Sequence, residues 1–191
     1  MDALKKEMLE LLARRAYQKV EGITLASGLK ANYYIDCKKV SLHGPSLKLL
    51  SQMFYQTLKA EENSPTYVAG VSVGGDPLVS GIVIEASNNQ QEWEALLIRK
   101  EPKKHGFTQG RAVEGSLPNA AMKIWLVEDV ISTGKSSLEA ADQLKKEGYP
   151  LSGVLALVDR EMGGLQKIQS ELSLPVRAVF RVSEILAHVK N

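Results

Sequence analysis

Two uninterrupted apolar runs, Trp125-Leu-Val and Val154-Leu-Ala-Leu-Val, constrain the fold more than any other feature of the chain. A strand with one face in water alternates apolar and polar residues. A run without alternation must be covered on both faces, as in a parallel sheet held between helices. The flanking segments fit that demand. Strands are expected at 67–73, 95–98, 123–127, 153–158 and 176–180, with helices at 77–86, 136–147 and 164–171 and a short one after Ser183. Pro45 opens a further helix, whose apolar stripe is Leu47, Leu50, Met53, Phe54 and Leu58. Strands alternating with helices indicate an α/β fold: a central, mainly parallel sheet flanked by helices.

The segment before residue 40 lacks this alternation. Leu4, Met8, Leu11 and Leu12 share one helical face, and 22–26 and 33–37 read as short strands joined at Ser27-Gly28. The expected organisation is a single domain over 1–191, with a hood at about 1–40 and an α/β core at 41–191 carrying a flexible loop at 99–115. The longest uncharged run, 63–75, is too short to cross a bilayer, and Lys5, Lys6, Glu7 and Glu10 do not suit a signal peptide. Cys37 has no second cysteine to pair with and reads as a small buried hydrophobe; no Cys/His cluster has metal-ligand spacing. A net charge of +2 points to neither a nucleic acid nor a membrane. A cytoplasmic protein is expected, with Trp93 and Trp125 as packing residues and His43 and His188 at the surface.

The chemistry concentrates where the first apolar run ends. Glu128 and Asp129 stand side by side, followed by Val130, Ile131, Ser132, Thr133, Gly134 and Lys135, with Ser136 and Ser137 marking a helix start. In open α/β sheets, ligands bind at the carboxyl ends of strands. Free N–H groups at a helix start, beside Ser132, Thr133 and Gly134, form a cradle for phosphate. Carboxylates only accept hydrogen bonds, so they repel phosphate and suit a diol. A sugar phosphate such as ribose 5-phosphate satisfies both ends. Gly134-Lys-Ser also resembles the end of a nucleotide P-loop, but that motif needs a glycine five positions before Gly134, where Asp129 stands. The bland alternative is a capped helix after a buried strand with solvated acids; the hydroxyl-glycine pattern argues against it.

A second feature is the segment 99–111, which has no periodicity and is broken by Pro102, Gly106 and Gly110. Five Lys/Arg and one Glu give it net +4, leaving −2 for the remainder of the chain. A long basic loop in a compact domain suits a lid over an anion, although alone it reads more readily as a solvated loop.

The run 124–137 resembles the phosphoribosyl pyrophosphate (PRPP) signature of type I phosphoribosyltransferases: an apolar strand, two acids, two apolar residues, then Ser/Thr-Thr-Gly. The loop Arg99-Lys-Glu-Pro-Lys-Lys-His-Gly is similar to the catalytic loop of the orotate phosphoribosyltransferases. Leu25-Ala-Ser-Gly-Leu-Lys-Ala-Asn-Tyr-Tyr-Ile-Asp, Gly70-Val-Ser-Val-Gly-Gly-Asp-Pro and Asp159-Arg160 resemble further segments of that family, in the family's order.

The resemblance implies that Glu128 and Asp129 hold the ribose hydroxyls and that Val130 to Ser136, Lys135 included, hold the 5-phosphate. It further implies that Arg99, Lys100, Lys103 and His105 meet the diphosphate, with Lys103, His105 and Asp129 catalytic. Tyr34, Ile35, Ser132 and Arg160 would meet orotate. It also implies Mg²⁺ carried mainly by PRPP and water rather than by a protein metal site, and a homodimer in which loop 99–111 completes the neighbouring active site. Lys135, Ala26 and Gly74 depart from the pattern: the first is commonly small, the others are lysines in some members. Lys104 is an extra charge without an implied role. The rival readings are a phosphoribosyltransferase for another base and a non-catalytic PRPP-sensing regulator, the latter expected to show a basic RNA-binding face.

Overall fold

The computed structural model describes residues 2–24, 30–102 and 109–189. Helix α1 (Asp2–Leu11) runs into a π-helical turn, Leu12–Ala16, and then strand β1 (Tyr17–Thr24), which pairs antiparallel with β2 (Lys30–Ile35). Both strands begin earlier than the sequence suggests, because the pairing of Tyr17 with Ile35 extends the hairpin beyond the apolar residues. A short helix, α2 (Lys38–Ser41), was not apparent in the sequence; at four residues it shows no helical period.

Helix α3 (Gly44–Lys59) buries Leu50, Met53, Phe54 and Leu58 as its stripe requires. The alternation follows: β3 (Tyr67–Val71), α4 (Asp76–Asn88), β4 (Glu94–Ile98), β5 (Val113–Glu114), β6 (Ile124–Ile131), α5 (Lys135–Lys146), β7 (Leu151–Asp159), α6 (Gly164–Leu172), β8 (Val176–Arg181) and α7 (Val182–Val189). The six strands lie in the order β5-β4-β3-β6-β7-β8, and every neighbouring pair is parallel except β4 with β5. Strand β5 is an addition to the expected set: its pairing with β4 turns the far end of the basic loop into sheet.

Trp125, Leu126, Val127, Val154, Leu155, Leu157 and Val158 are all fully buried, as strands covered on both faces must be. One apolar cluster gathers α1, α3 and α4 on one face of the sheet, and a second gathers α5 and α6 on the other. Trp125 also donates its indole N–H to the Asn63 carbonyl at 2.9 Å, and Tyr55 packs on Trp93 with ring centroids 5.2 Å apart. Cys37 is buried. His43 is half-buried rather than a free surface residue, with Nδ1 2.8 Å from Ser46 Oγ. No helix among the described residues is long and apolar enough to cross a membrane.

Candidate active site

From β3 the chain winds toward β4, and from β6 it winds the opposite way toward β7 and β8. The carboxyl ends of β3 and β6 therefore form the point where an open α/β sheet splays and admits a ligand. The register shows how. β3 stays beside β6 only as far as the Gly70–Val127 pair, while β6 continues along β7 to Ile131. Glu128 and Asp129 thus lie within an extended strand, not just beyond it as its apolar run suggests, on the stretch that β3 has left.

Beyond β3 the backbone doubles back sharply. Gly75 N–H donates to the Val71 carbonyl at 2.9 Å, and a Cβ on Gly75 would come within 2.6 Å of Val71 N. A Cβ on Gly74 would stand 2.5 Å from the Asp129 carboxyl carbon, so the bare backbone at 74 is what lets the acid lie against this turn.

On the other side, Gly134 takes a left-handed conformation (φ 78°) ahead of α5. A side chain there would meet Ile168 at 2.9 Å, and one on Gly164 would collide with the Ser132 carbonyl. The Ser132–Gly134 turn is therefore pressed against α6, beside the start of α5, where a helix leaves N–H groups without intrahelical partners. Lys135 is the first residue of α5, exposed, and 3.7 Å from Glu139. No side chain caps this helix, contrary to the expectation for Ser136 and Ser137. Ser137 instead is buried and donates through Oγ to Glu128 Oε1 at 2.9 Å.

The two acids differ in environment. Glu128 is 5% exposed, and burial pushes its carboxyl up to about 8, with the Asp129 charge adding to the rise and the Ser137 hydrogen bond opposing it. Asp129 is also raised by burial, but the Lys38 charge and the Val130 N–H, 2.9 Å from Oδ1, act against that.

Arg160 follows β7 and donates its backbone N–H to the Ile131 carbonyl at 2.9 Å. Its guanidinium sits 5.8 Å from the centre of the Tyr33 ring, which in turn stacks with Tyr17. The residue is 9% exposed, so it is not the surface ion-pair residue an isolated arginine suggests, and its Nε and Nη2 find no hydrogen-bond partner among the described residues.

Tyr34, Ile35, Arg99, Lys100, the whole run 128–136 and Arg160 line one cleft of about 1250 Å³. Lys103 and His105 lie outside the described residues, as does Ala26. Arg111 is brought to a different place. Its Nε bonds Glu147 Oε2 at 3.2 Å, its Nη2 bonds the Tyr149 hydroxyl, and Glu147 Oε1 accepts from Ala112 N–H at 2.7 Å. Lys38, which no sequence signal marks as a site residue, lines the cleft and bonds Asp36 at 2.8 Å, and Ser137 holds Glu128 rather than capping the helix. In sequence Lys38-Lys39 looks like any solvated pair.

No family model matches the chain. Among curated proteins, orotate phosphoribosyltransferase of Thermosynechococcus vestitus is 37% identical over 189 residues, spanning 98% of this chain and 96% of that protein. Orotate phosphoribosyltransferase of a Nostoc species is 34% identical, spanning 97% and 86% respectively. Among solved structures, Mycobacterium tuberculosis orotate phosphoribosyltransferase in complex with PRPP superposes with a TM-score of 0.76 at 26% identity, covering 95% of this chain and 98% of that one.

Proposed function

Given that the chain belongs to the orotate phosphoribosyltransferase family and is a transferase enzyme, we propose that it joins orotate to the phosphoribosyl group of PRPP. The products are orotidine 5′-monophosphate and diphosphate, a step of de novo pyrimidine (UMP) synthesis. The observation that carries this reading is one cleft uniting two acidic side chains, a helix start and a buried arginine whose Nε and Nη2 have no partner among the described residues.

Each part matches one part of the substrates. The α5 start takes the 5-phosphate, Glu128 and Asp129 take the ribose hydroxyls, and the Arg160 fork takes the orotate carboxylate, with Tyr34 and Ile35 beside the ring. The bond from C1 to the diphosphate oxygen breaks as the C1–N1 bond forms, and the N1 proton leaves. Catalysis is then mainly positioning and the stabilisation of developing charge, negative on the diphosphate and positive on the sugar. Arg99, which also pairs with Glu114 at 3.5 Å, and Lys100 line the cleft and are proposed to meet the diphosphate; a role for Lys103 and His105 rests on the resemblance alone.

Mg²⁺ fits the site's hard oxygen donors, and among the described residues no cluster of three His, Cys, Asp or Glu forms a cage. Mg²⁺ bound with PRPP would supply neutralisation of charge on the leaving diphosphate. We place the protein in the cytoplasm, with 1–191 acting as one domain whose segment 1–40 serves as a hood.

Incubation with Mg²⁺, PRPP and orotate should consume orotate, read as loss of its ultraviolet absorbance. Turnover with another base but not orotate sinks the substrate assignment. The proposed homodimer shares loop 99–111 between sites. Lys103→Ala and Asp129→Asn proteins, each weak alone, should then regain activity when mixed; an unchanged mixture after confirmed subunit exchange refutes the sharing.

A further inference from the structure

The proposed division of labour leaves one buried polar contact unexplained. Ser137 lies in the first turn of α5, is 1% exposed, and spends its hydroxyl on Glu128 Oε1 at 2.9 Å. Helix capping does not account for it, since the N-cap position is Gly134 and Ser137 lies inside the helix. Nor is it filling space, since a methyl group suits an apolar helix face better than a hydroxyl that must find a partner.

We propose that Ser137 is a positioning residue that fixes the Glu128 carboxylate: it occupies Oε1 and leaves Oε2 as the acceptor for a sugar hydroxyl. The inference rests on reading Glu128 as the ribose acid. A glutamate has three rotatable side-chain bonds, and without a fixed partner its carboxylate would lose that freedom only when the sugar binds. With Ser137 on the helix that also cradles phosphate, one rigid element sets both the phosphate and the hydroxyl contacts of the same sugar. The hydrogen bond also favours the charged carboxylate against burial and the neighbouring Asp129 charge. The other groups around Glu128 do not compete: β7 presents Ala156 at its register, and Lys38 acts on Asp129.

The test compares Ser137→Ala, Ser137→Thr and Glu128→Gln enzymes by steady-state kinetics across pH, with urea unfolding of each. Loss of a hydrogen bond to a charged group predicts that Ser137→Ala lowers kcat/KM for PRPP about tenfold or more, with the orotate KM little changed. Its acid limb in the kcat/KM profile should move alkaline by about one unit. Ser137→Thr, which keeps the hydroxyl, should recover most of both. Unchanged PRPP kinetics and pH profile in Ser137→Ala overturn the proposal, as does a Thr variant no better than Ala at equal stability. If Glu128→Gln also leaves PRPP kinetics intact above about pH 8, where the parent carboxyl is charged, the ribose reading of Glu128 has failed; if it alone is impaired there, only the role of Ser137 has.

Discussion

Replacing Glu128 by Gln keeps the shape of the side chain and an oxygen for Ser137 while removing the charge that burial opposes. In the folded protein this carboxyl is raised from 4.5 to about 8, so between those values the native state holds a proton that the unfolded chain has released. Stability contributed by the group is therefore fully present below about 4.5 and is lost as pH rises through about 8. At about 1.4 kcal/mol per unit, the whole shift corresponds to roughly 5 kcal/mol. The Gln variant carries no such slope. The difference in unfolding free energy between variant and parent should hold steady below pH 4.5, climb through neutrality and level off above about 8. Asp129 titrates in both proteins and largely cancels. Urea unfolding of the ligand-free proteins at a series of pH values measures this directly. Two parallel stability curves, offset by a constant, would refute the claim that Glu128 is held in an environment hostile to its charge.

Two further substitutions probe the frame around the acids. Gly74→Ala places a methyl group where the Asp129 carboxylate lies, so the acid or the turn must move. Overpacking of this kind costs about 1–3 kcal/mol, and kcat/KM for PRPP should fall at least about tenfold; wild-type kinetics would show that Asp129 need not lie against the turn. Arg111→Ala removes the bonds to Glu147 and Tyr149 and should cost about 2 kcal/mol in urea unfolding. Lys at 111 should restore little, because an ammonium does not reproduce the guanidinium fork.

What the sequence discloses and what it withholds divide along a physical line. The runs through Trp125 and Val154 announce buried strands because covering both faces leaves no room for alternation, and Glu128-Asp129 at the end of one announces the site. Such signals are local. Ser137 meets Glu128 from nine positions away through a strand, a turn and a helix, and its spacing alone reads as a helix start. Arg111 counts as one more positive charge in a basic loop until its partners, Glu147 and Tyr149, arrive from beyond α5. Strand β5, two residues long, has no period to detect and exists because β4 offers an edge. Arg160 is an ordinary charged residue in sequence; its burial over Tyr33 appears only when β7 and the hairpin meet.

The clasp at the foot of the basic loop has a consequence of scale. Arg99 donates its backbone N–H to the Ala112 carbonyl at 2.9 Å, and Arg111 is tied to Glu147 just beside it, so both stems leave the sheet from one point. A segment that starts and finishes at one place can carry its midpoint no farther than half its contour, about 20 Å for residues 100–111. That radius is a ruler for assembly: on the proposed sharing, Lys103, four residues from the Arg99 stem, would carry its backbone no farther than about 14 Å, and each pair of residues deleted from the segment would shorten the midpoint's reach by about 3.5 Å.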